Sequence, residues 1–303
     1  MKKVAWITDD FYFQHDTVGY PESPERLESI NYRIEPLLDK LIIVEPRVAK
    51  VEEIEMVHSP EMISVVKEKA PLGLPIDSDT ILTKQSYWVA LKAVGAGLVA
   101  VDGVKNSKFE RAFCAVRPPG HHATPTASMG FCLFNNVAVT ARYAQNKGYK
   151  KVMIIDFDVH HGNGTQDAFY DDNSVFYFST HQVFAYPGTG KESETGSGKG
   201  LGYTANHPLM PNSSDKEYLE VYEEDLAKAY EFFQPDIILV SAGYDLHESD
   251  PLAQMDVTTE GISKIVRNIL DLGDKPVIFF LEGGYSINNL GLNVVATVEE
   301  MLS

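Results

Sequence analysis

Two cysteines in 303 residues, Cys114 and Cys132, are too few for a disulfide framework or a thiolate zinc site. Positive charge is scarce as well. Against 43 Asp and Glu stand 26 Lys and Arg, a net charge of −17, whereas a nucleic-acid duplex calls for a basic footprint. That balance is compatible with a cationic substrate, although an acidic surface more often serves solubility. No uninterrupted apolar run approaches 18 residues, so no membrane span is expected. The opening MKKVAWITDD breaks at Asp9 and Asp10, too soon for a signal peptide. The expectation is a soluble, cytoplasmic protein. The one glycine-rich stretch, residues 188–202, lacks the Gly-Lys-Ser/Thr ending of a phosphate loop, and no helix pattern follows it directly. It reads as a structured loop. What is present is a 44% hydrophobic composition, enough for a sizeable core, with no internal repeat and no linker dividing the chain.

Short apolar runs alternate with helical patterns from end to end. Strands are expected over residues 3–8, 112–116, 152–156, 175–179, 236–241 and 276–281. Between them helical spacing is expected from Ser23 and Pro24 through Leu38, and over 60–69, 86–101, 135–146, 215–233, 259–272 and 288–302. Ser23 suits an N-cap and Pro24 the first helical position. Strands that are apolar without alternation, separated by helices, predict an α/β fold with a mainly parallel sheet and helices on both faces. Such sheets present chemistry just past their strand carboxyl ends.

Four of these runs end in chemically able groups. VMIID leads into FDVHHGN, so Asp158 and His160 stand two apart and project to one side of extended backbone, a spacing that suits two metal ligands. Residues 112–116 lead to RPPGHH with His121 and His122, residues 236–241 to AGYD with Asp245, and residues 276–281 to EGGY with Tyr285. A lone Asp-x-His is usually a polar loop; four convergent strand ends are harder to ascribe to chance. Two carboxylates and an imidazole leave a coordination position open and suit Zn(II), Fe(II), Mn(II) or Co(II) alike. The alternative for Asp245 is a loop-end carboxylate or a helix cap. The histidine pair could be core-satisfied, exposed or metal-bound. Beside a metal-activated water one of these imidazoles could carry a proton, with Asp156 and Asn163 flanking the metal motif as partners for its far nitrogen. Tyr285, after two glycines, can donate to a developing oxyanion. Phe131 and Tyr186 could wall an aliphatic slot or simply pack in the core.

RPPGHHA, GFCLFNN, DFDVHHGNGTQ, PGTG, SAGYD and LEGGY, in this order and preceded by PESPERL, resemble the histone deacetylase family from about Tyr20 to Tyr285. The resemblance implies one domain of the arginase/deacetylase-like α/β fold, spanning the chain, with its metal at the strand ends. It implies Asp158, His160 and Asp245 as metal ligands, with Zn2+ as cofactor and Fe2+, Mn2+ or Co2+ as alternatives. It further implies that Asp156 supports His121 and Asn163 supports His122, with His122 the proton shuttle and Tyr285 the carbonyl-polarising residue. Gly130, Phe131 and Tyr186 would line the acyl-lysine tunnel, Leu252 near its floor or rim. A structural K+ would lie among Asp156, Asp158, His160, Ser179 and Thr180, mostly on backbone oxygens. Asn163 and the Phe134-Asn135-Asn136 run are similar to the class II branch and its bacterial and archaeal relatives.

The function so implied is metal-dependent hydrolysis of an acetylated amine, acetyl-lysine in a protein or peptide or an acetylpolyamine, without direct nucleic-acid or membrane partners; oligomeric state stays open. No long insertion precedes Arg117, which tilts the expectation toward acetyl-lysine. A non-catalytic acetyl-binding module would be expected to lack one of these groups. A two-metal ureohydrolase would need further aspartates and a second histidine at ligand positions.

Overall fold

The computed structural model describes residues 2–303. In chain order its regular elements are β1 (Val4–Ile7), α1 (Glu25–Ile34), β2 (Ile42–Val44), α2 (Val51–Ile54), α3 (Pro60–Lys69), α4 (Ser86–Lys105), β3 (Arg111–Cys114), α5 (Asn136–Asn146) and β4 (Val152–Asp156). There follow α6 (Asn163–Phe169), β5 (Val175–Gln182), β6 (Thr204–Leu209), α7 (Asp215–Glu220), α8 (Leu226–Phe233), β7 (Ile237–Ala242), α9 (Thr259–Leu270), β8 (Val277–Leu281) and α10 (Ile287–Leu302). All strand pairs are parallel, in the order β2-β1-β3-β8-β7-β4-β5-β6. Helices α4, α5 and α6 pack together on one face; α1, α10, α9, α7 and α8 cover the other. The chain is thus a single α/β domain. Every residue of β4, β7 and β8 is buried, which is why these strands read as unbroken apolar runs.

Sheet order places the site. The four strands that end in reactive groups, β3, β8, β7 and β4, are consecutive neighbours, so their carboxyl ends form one continuous edge. The Ser59 hydroxyl caps α3 by accepting from Met62 N, as a Ser-Pro-Glu start should.

Several expectations are corrected. Helix α1 begins at Glu25 rather than after a Ser23 cap: Pro24 already has helical dihedrals, and the first turn closes on Ser23 and Pro24 carbonyls without a side-chain cap. The helix expected over 215–233 is split by a π-turn at Val221–Asp225. Strand β5 runs on through Thr180 and His181 to Gln182 because β6 pairs with it that far. Helix α4 is long and apolar enough to cross a membrane by length and composition, with mean hydropathy 1.4. Lys92 and Asp102 interrupt its apolar run, yet the average stays high because 78% of that window is buried against the rest of the fold. An interior helix is apolar all round for that reason.

Candidate active site

The residue before the histidine loop is held first. Arg117 is fully buried, and its guanidinium grips Glu22 through Nε–Oε1 at 2.5 Å and Nη2–Oε2 at 2.8 Å while donating to Thr17 Oγ1 and the His15 carbonyl. A bidentate pair of this kind fixes direction as well as distance. Beyond it, Glu282 at the end of β8 accepts from the Gly120 and His121 N–H groups at 2.7 and 3.2 Å and is met by the Ser241 hydroxyl at 3.0 Å. Burial pushes the Glu282 carboxyl up to about 7 against the pull of His121. The loop carrying His121 and His122 is therefore tied to two neighbouring strand ends.

Asp158, His160 and Asp245 come together, their donor atoms all within 4.8 Å of one another. His160 Nδ1 lies 3.2 Å from Asp158 Oδ1 and 3.0 Å from Asp245 Oδ2. The acids are oriented by backbone donors, Val159 N to Asp245 Oδ1 at 3.0 Å and Gly283 N to Asp158 Oδ2 at 2.7 Å. Gly283 must be glycine, because a Cβ there would meet Asp245 Oδ2 at 2.1 Å. Burial opposes charge on the His160 ring, but the Asp245 and Asp158 carboxylates override it and push its pKa up to about 10. Two buried acids converging on one point suit a bound cation. The donor set, two carboxylate oxygens and an imidazole nitrogen, fits a divalent transition metal or zinc. Among the described residues this is the one three-donor cluster.

The histidines have different surroundings. His121 Nδ1 is 3.1 Å from Asp156 Oδ2, which also accepts from the Tyr177 hydroxyl at 3.1 Å. Burial lowers the basicity of His121, but Asp158, Asp156 and Glu282 raise it well above the usual imidazole value. His122 Nδ1 is 2.9 Å from Asn163 Oδ1. Burial, then the neighbouring His121 and His160 rings, hold His122 well below the usual value. An amide oxygen can only accept, so His122 carries its hydrogen on Nδ1 and keeps the Nε2 lone pair free.

A cavity of about 230 Å³ opens onto this cluster, lined by His122, His160, Tyr285, Phe131, Gly130, Tyr186, Leu252 and Asp79. His122 lines it; His121 does not. Gly130 has φ +55°, and a Cβ there would lie 2.6 Å from the His122 ring, so only glycine lets the wall close on the imidazole. The Phe131 and Tyr285 rings meet edge to face at 5.8 Å, and Tyr186 stands edge-on to His122 at 5.0 Å. Leu252, 41% exposed, belongs to the rim rather than the floor. A larger surface cavity of about 330 Å³ lies at the amino-terminal edge of the sheet among Lys2, Glu110, Arg111 and Asp274, away from these groups. Ser179 sits opposite Asp156 in the β4–β5 register, and Thr180 follows it, its hydroxyl 3.1 Å from that of Tyr222.

The family model for the histone deacetylase domain matches residues 20–301. The chain belongs to the histone deacetylase family. It is 36% identical over 298 residues to a probable deacetylase of Archaeoglobus fulgidus, covering 93% of this chain and 82% of that protein. It is 40% identical over 313 residues to the chloroplastic histone deacetylase 10 of Oryza sativa subsp. japonica, covering 95% and 71%. The crystal structure of the HDA15 HD domain superposes with a TM-score of 0.96 at 34% identity, covering 99% of this chain and 89% of that one. Membership in this deacetylase family supports a hydrolase acting on acetylated amines.

Four residues around the site had no role in the sequence reading. Glu282 braces the histidine loop, and Asp79 lines the cavity. Arg26 donates to the Glu282 and Gly284 carbonyls and lies 5.1 Å from the centre of the Tyr285 ring. Asp250 accepts from Tyr285 N. Arg26 and Glu282 left a trace in the sequence: a charge beside Leu27 on the apolar face of α1, and an acid directly after the apolar run 276–281.

Proposed function

We propose that the protein removes acetyl or other short acyl groups from amines, with acetyl-lysine in a protein or peptide as the substrate class. The observation that carries this is the meeting of Asp158, His160 and Asp245 with His122 and Tyr285 at one cavity whose walls are aromatic. Asp158, His160 and Asp245 would hold Zn2+, or Fe2+, Mn2+ or Co2+ on the same donors; when bound, the ion acidifies water and polarises a carbonyl. The free Nε2 of His122 takes a proton from the attacking water and returns it to the leaving amine. His121, kept charged by Asp158, Asp156 and Glu282, contributes positive potential behind the His122 ring, 4.0 Å away centre to centre. Tyr285 donates its hydroxyl hydrogen to the carbonyl oxygen as negative charge develops there. Enclosure holds the phenol well above its usual pKa despite Arg26, so the proton stays on it at neutral pH. Phe131, Tyr186, Gly130 and Leu252 receive the aliphatic chain. In the same reading K+ is held by Asp156, Asp158, His160, Ser179 and Thr180; the adjacency of β4 and β5 supports this.

The test is a turnover screen of acetyl-lysine peptides against acetylpolyamines, with metal varied and metal per chain measured. Acetate release from the peptides with about one ion per chain is the expected result. Preference for acetylpolyamines would overturn the substrate assignment, and no release with any metal would sink the enzymatic reading.

A further inference from the structure

Tyr285 enters the cavity from the short connection between β8 and α10, and little regular structure fixes it there. Its backbone N–H donates to Oδ2 of Asp250 at 2.6 Å, and the Ser286 N–H reaches the same oxygen at 3.1 Å. The other oxygen of that carboxyl, Oδ1, accepts from Leu252 N at 3.0 Å. Asp250 is itself buried, 7% exposed, in the turn that follows Asp245, where its own N–H closes on the His247 carbonyl at 2.8 Å. It does not line the cavity; Tyr285 and Leu252 do.

We propose that Asp250 is a positioning residue for the deacetylation, fastening Tyr285 to the loop that carries Asp245, while the Leu252 N–H holds the second carboxylate oxygen in place. The inference rests on the reading of Tyr285 as the donor to the carbonyl oxygen. Its chemistry is specific. All three partners are N–H donors divided between two oxygens, and only a carboxylate offers two acceptors with no hydrogen of its own. An amide would supply one acceptor and turn an NH2 group toward a backbone N–H. Misplacement of a reacting group by about 1 Å can cost on the order of 100-fold in rate, so the anchor of an oxyanion donor is expected to show in turnover.

Asp250→Asn is to be made in the wild-type chain and in Tyr285→Phe, with kcat, KM, metal content and melting temperature measured on an acetyl-lysine peptide. In the wild-type background kcat falls by about tenfold or more, while KM moves by less than about threefold and metal content is unchanged. In the Tyr285→Phe background the same substitution changes kcat by less than about twofold, because the group it positions is already gone. Equal losses in both backgrounds, or an unchanged kcat in the first, overturn the proposal. So does a lowered melting temperature without that difference between backgrounds. Asp250→Glu keeps the charge and both oxygens on a longer arm; it is expected to give the same pattern and serves if the amide variant does not fold. Should Tyr285→Phe alone leave kcat intact, the oxyanion reading is what fails, an outcome distinct from additivity.

Discussion

At the level of single residues the site depends on how neighbouring groups set proton positions. Tyr285 holds a hydrogen that can be donated but contributes nothing to the Asp158, His160, Asp245 cluster, so Tyr285→Phe is expected to lower kcat by roughly two to three decades with metal content unchanged. Turnover within a factor of about two of wild type would remove the tyrosine from the reaction. His122 is paired with an amide at 2.9 Å where a carboxylate would stabilise the imidazolium. Asn163→Asp is therefore expected to raise the His122 pKa, because the carboxylate stabilises the imidazolium. The base must be unprotonated to act, so the acid limb of kcat/KM against pH moves to higher pH; an unmoved limb, or one shifted down, would show that His122 is not the group titrating. Asp158, His160, Asp245 and the histidine pair were legible in the sequence because each lies just past an apolar run. The roles of Glu282, Arg26, Asp79 and Asp250 were not, even though Glu282 also follows such a run, since they arise from contacts between distant segments: Arg26 and Gly284 are 258 positions apart.

Among the elements, α5 shows how a helix start can organise a site. The Asn135 side chain accepts from Ala138 N at 2.9 Å, and its NH2 reaches the Ala123 carbonyl at 3.2 Å and Thr165 Oγ1 at 3.1 Å. One residue thus caps α5, steadies the segment after His122 and contacts α6. Asn135→Ala is expected to cost about 1–2 kcal/mol for the cap, and more for the two buried partners left behind, seen as a lower denaturation midpoint in urea. A loss below about 0.5 kcal/mol would mean that water or neighbours replace these bonds. The interior strands were readable as apolar runs, whereas β2 and β6 were not. Both are edge strands: β2 is largely exposed, and β6, Thr204–Leu209, contains Asn206 and Pro208. Proline survives there because an edge strand has a side that needs no ladder donor. The π-turn at Val221–Asp225 escapes helical periodicity, which cannot register one inserted residue, although it lies where Tyr222 meets Thr180.

Across the whole molecule the same burial that shapes the sheet edge keeps imidazoles neutral that do not line the cavity. His58 accepts from Asn135 N at Nε2, 2.8 Å away, and its Nδ1 lies 2.9 Å from the Thr124 carbonyl, so both nitrogens are satisfied by the uncharged ring. Burial lowers its pKa to about 4, and that of His15 and of His181 likewise to about 4. An unfolded chain would protonate each near the ordinary value of about 6.5. The unfolded state therefore binds more protons below that point, so stability is full above about pH 6.5 and is lost as the pH falls toward 4. Each histidine contributes a slope of at most about 1.4 kcal/mol per pH unit within this window. His58→Gln isolates one share. A glutamine amide can donate to the Thr124 carbonyl and accept from Asn135 N without titrating, so any loss from imperfect fit is constant with pH. Metal release in acid affects both proteins alike and cancels in the comparison. Unfolding free energies from urea titrations at pH 7, 5.5 and 4.5 are expected to fall less steeply for His58→Gln than for wild type, by up to about 1.4 kcal/mol per pH unit. Parallel curves would mean that His58 already carries a proton in the fold, and that the Asn135 N–H bond does not hold it neutral.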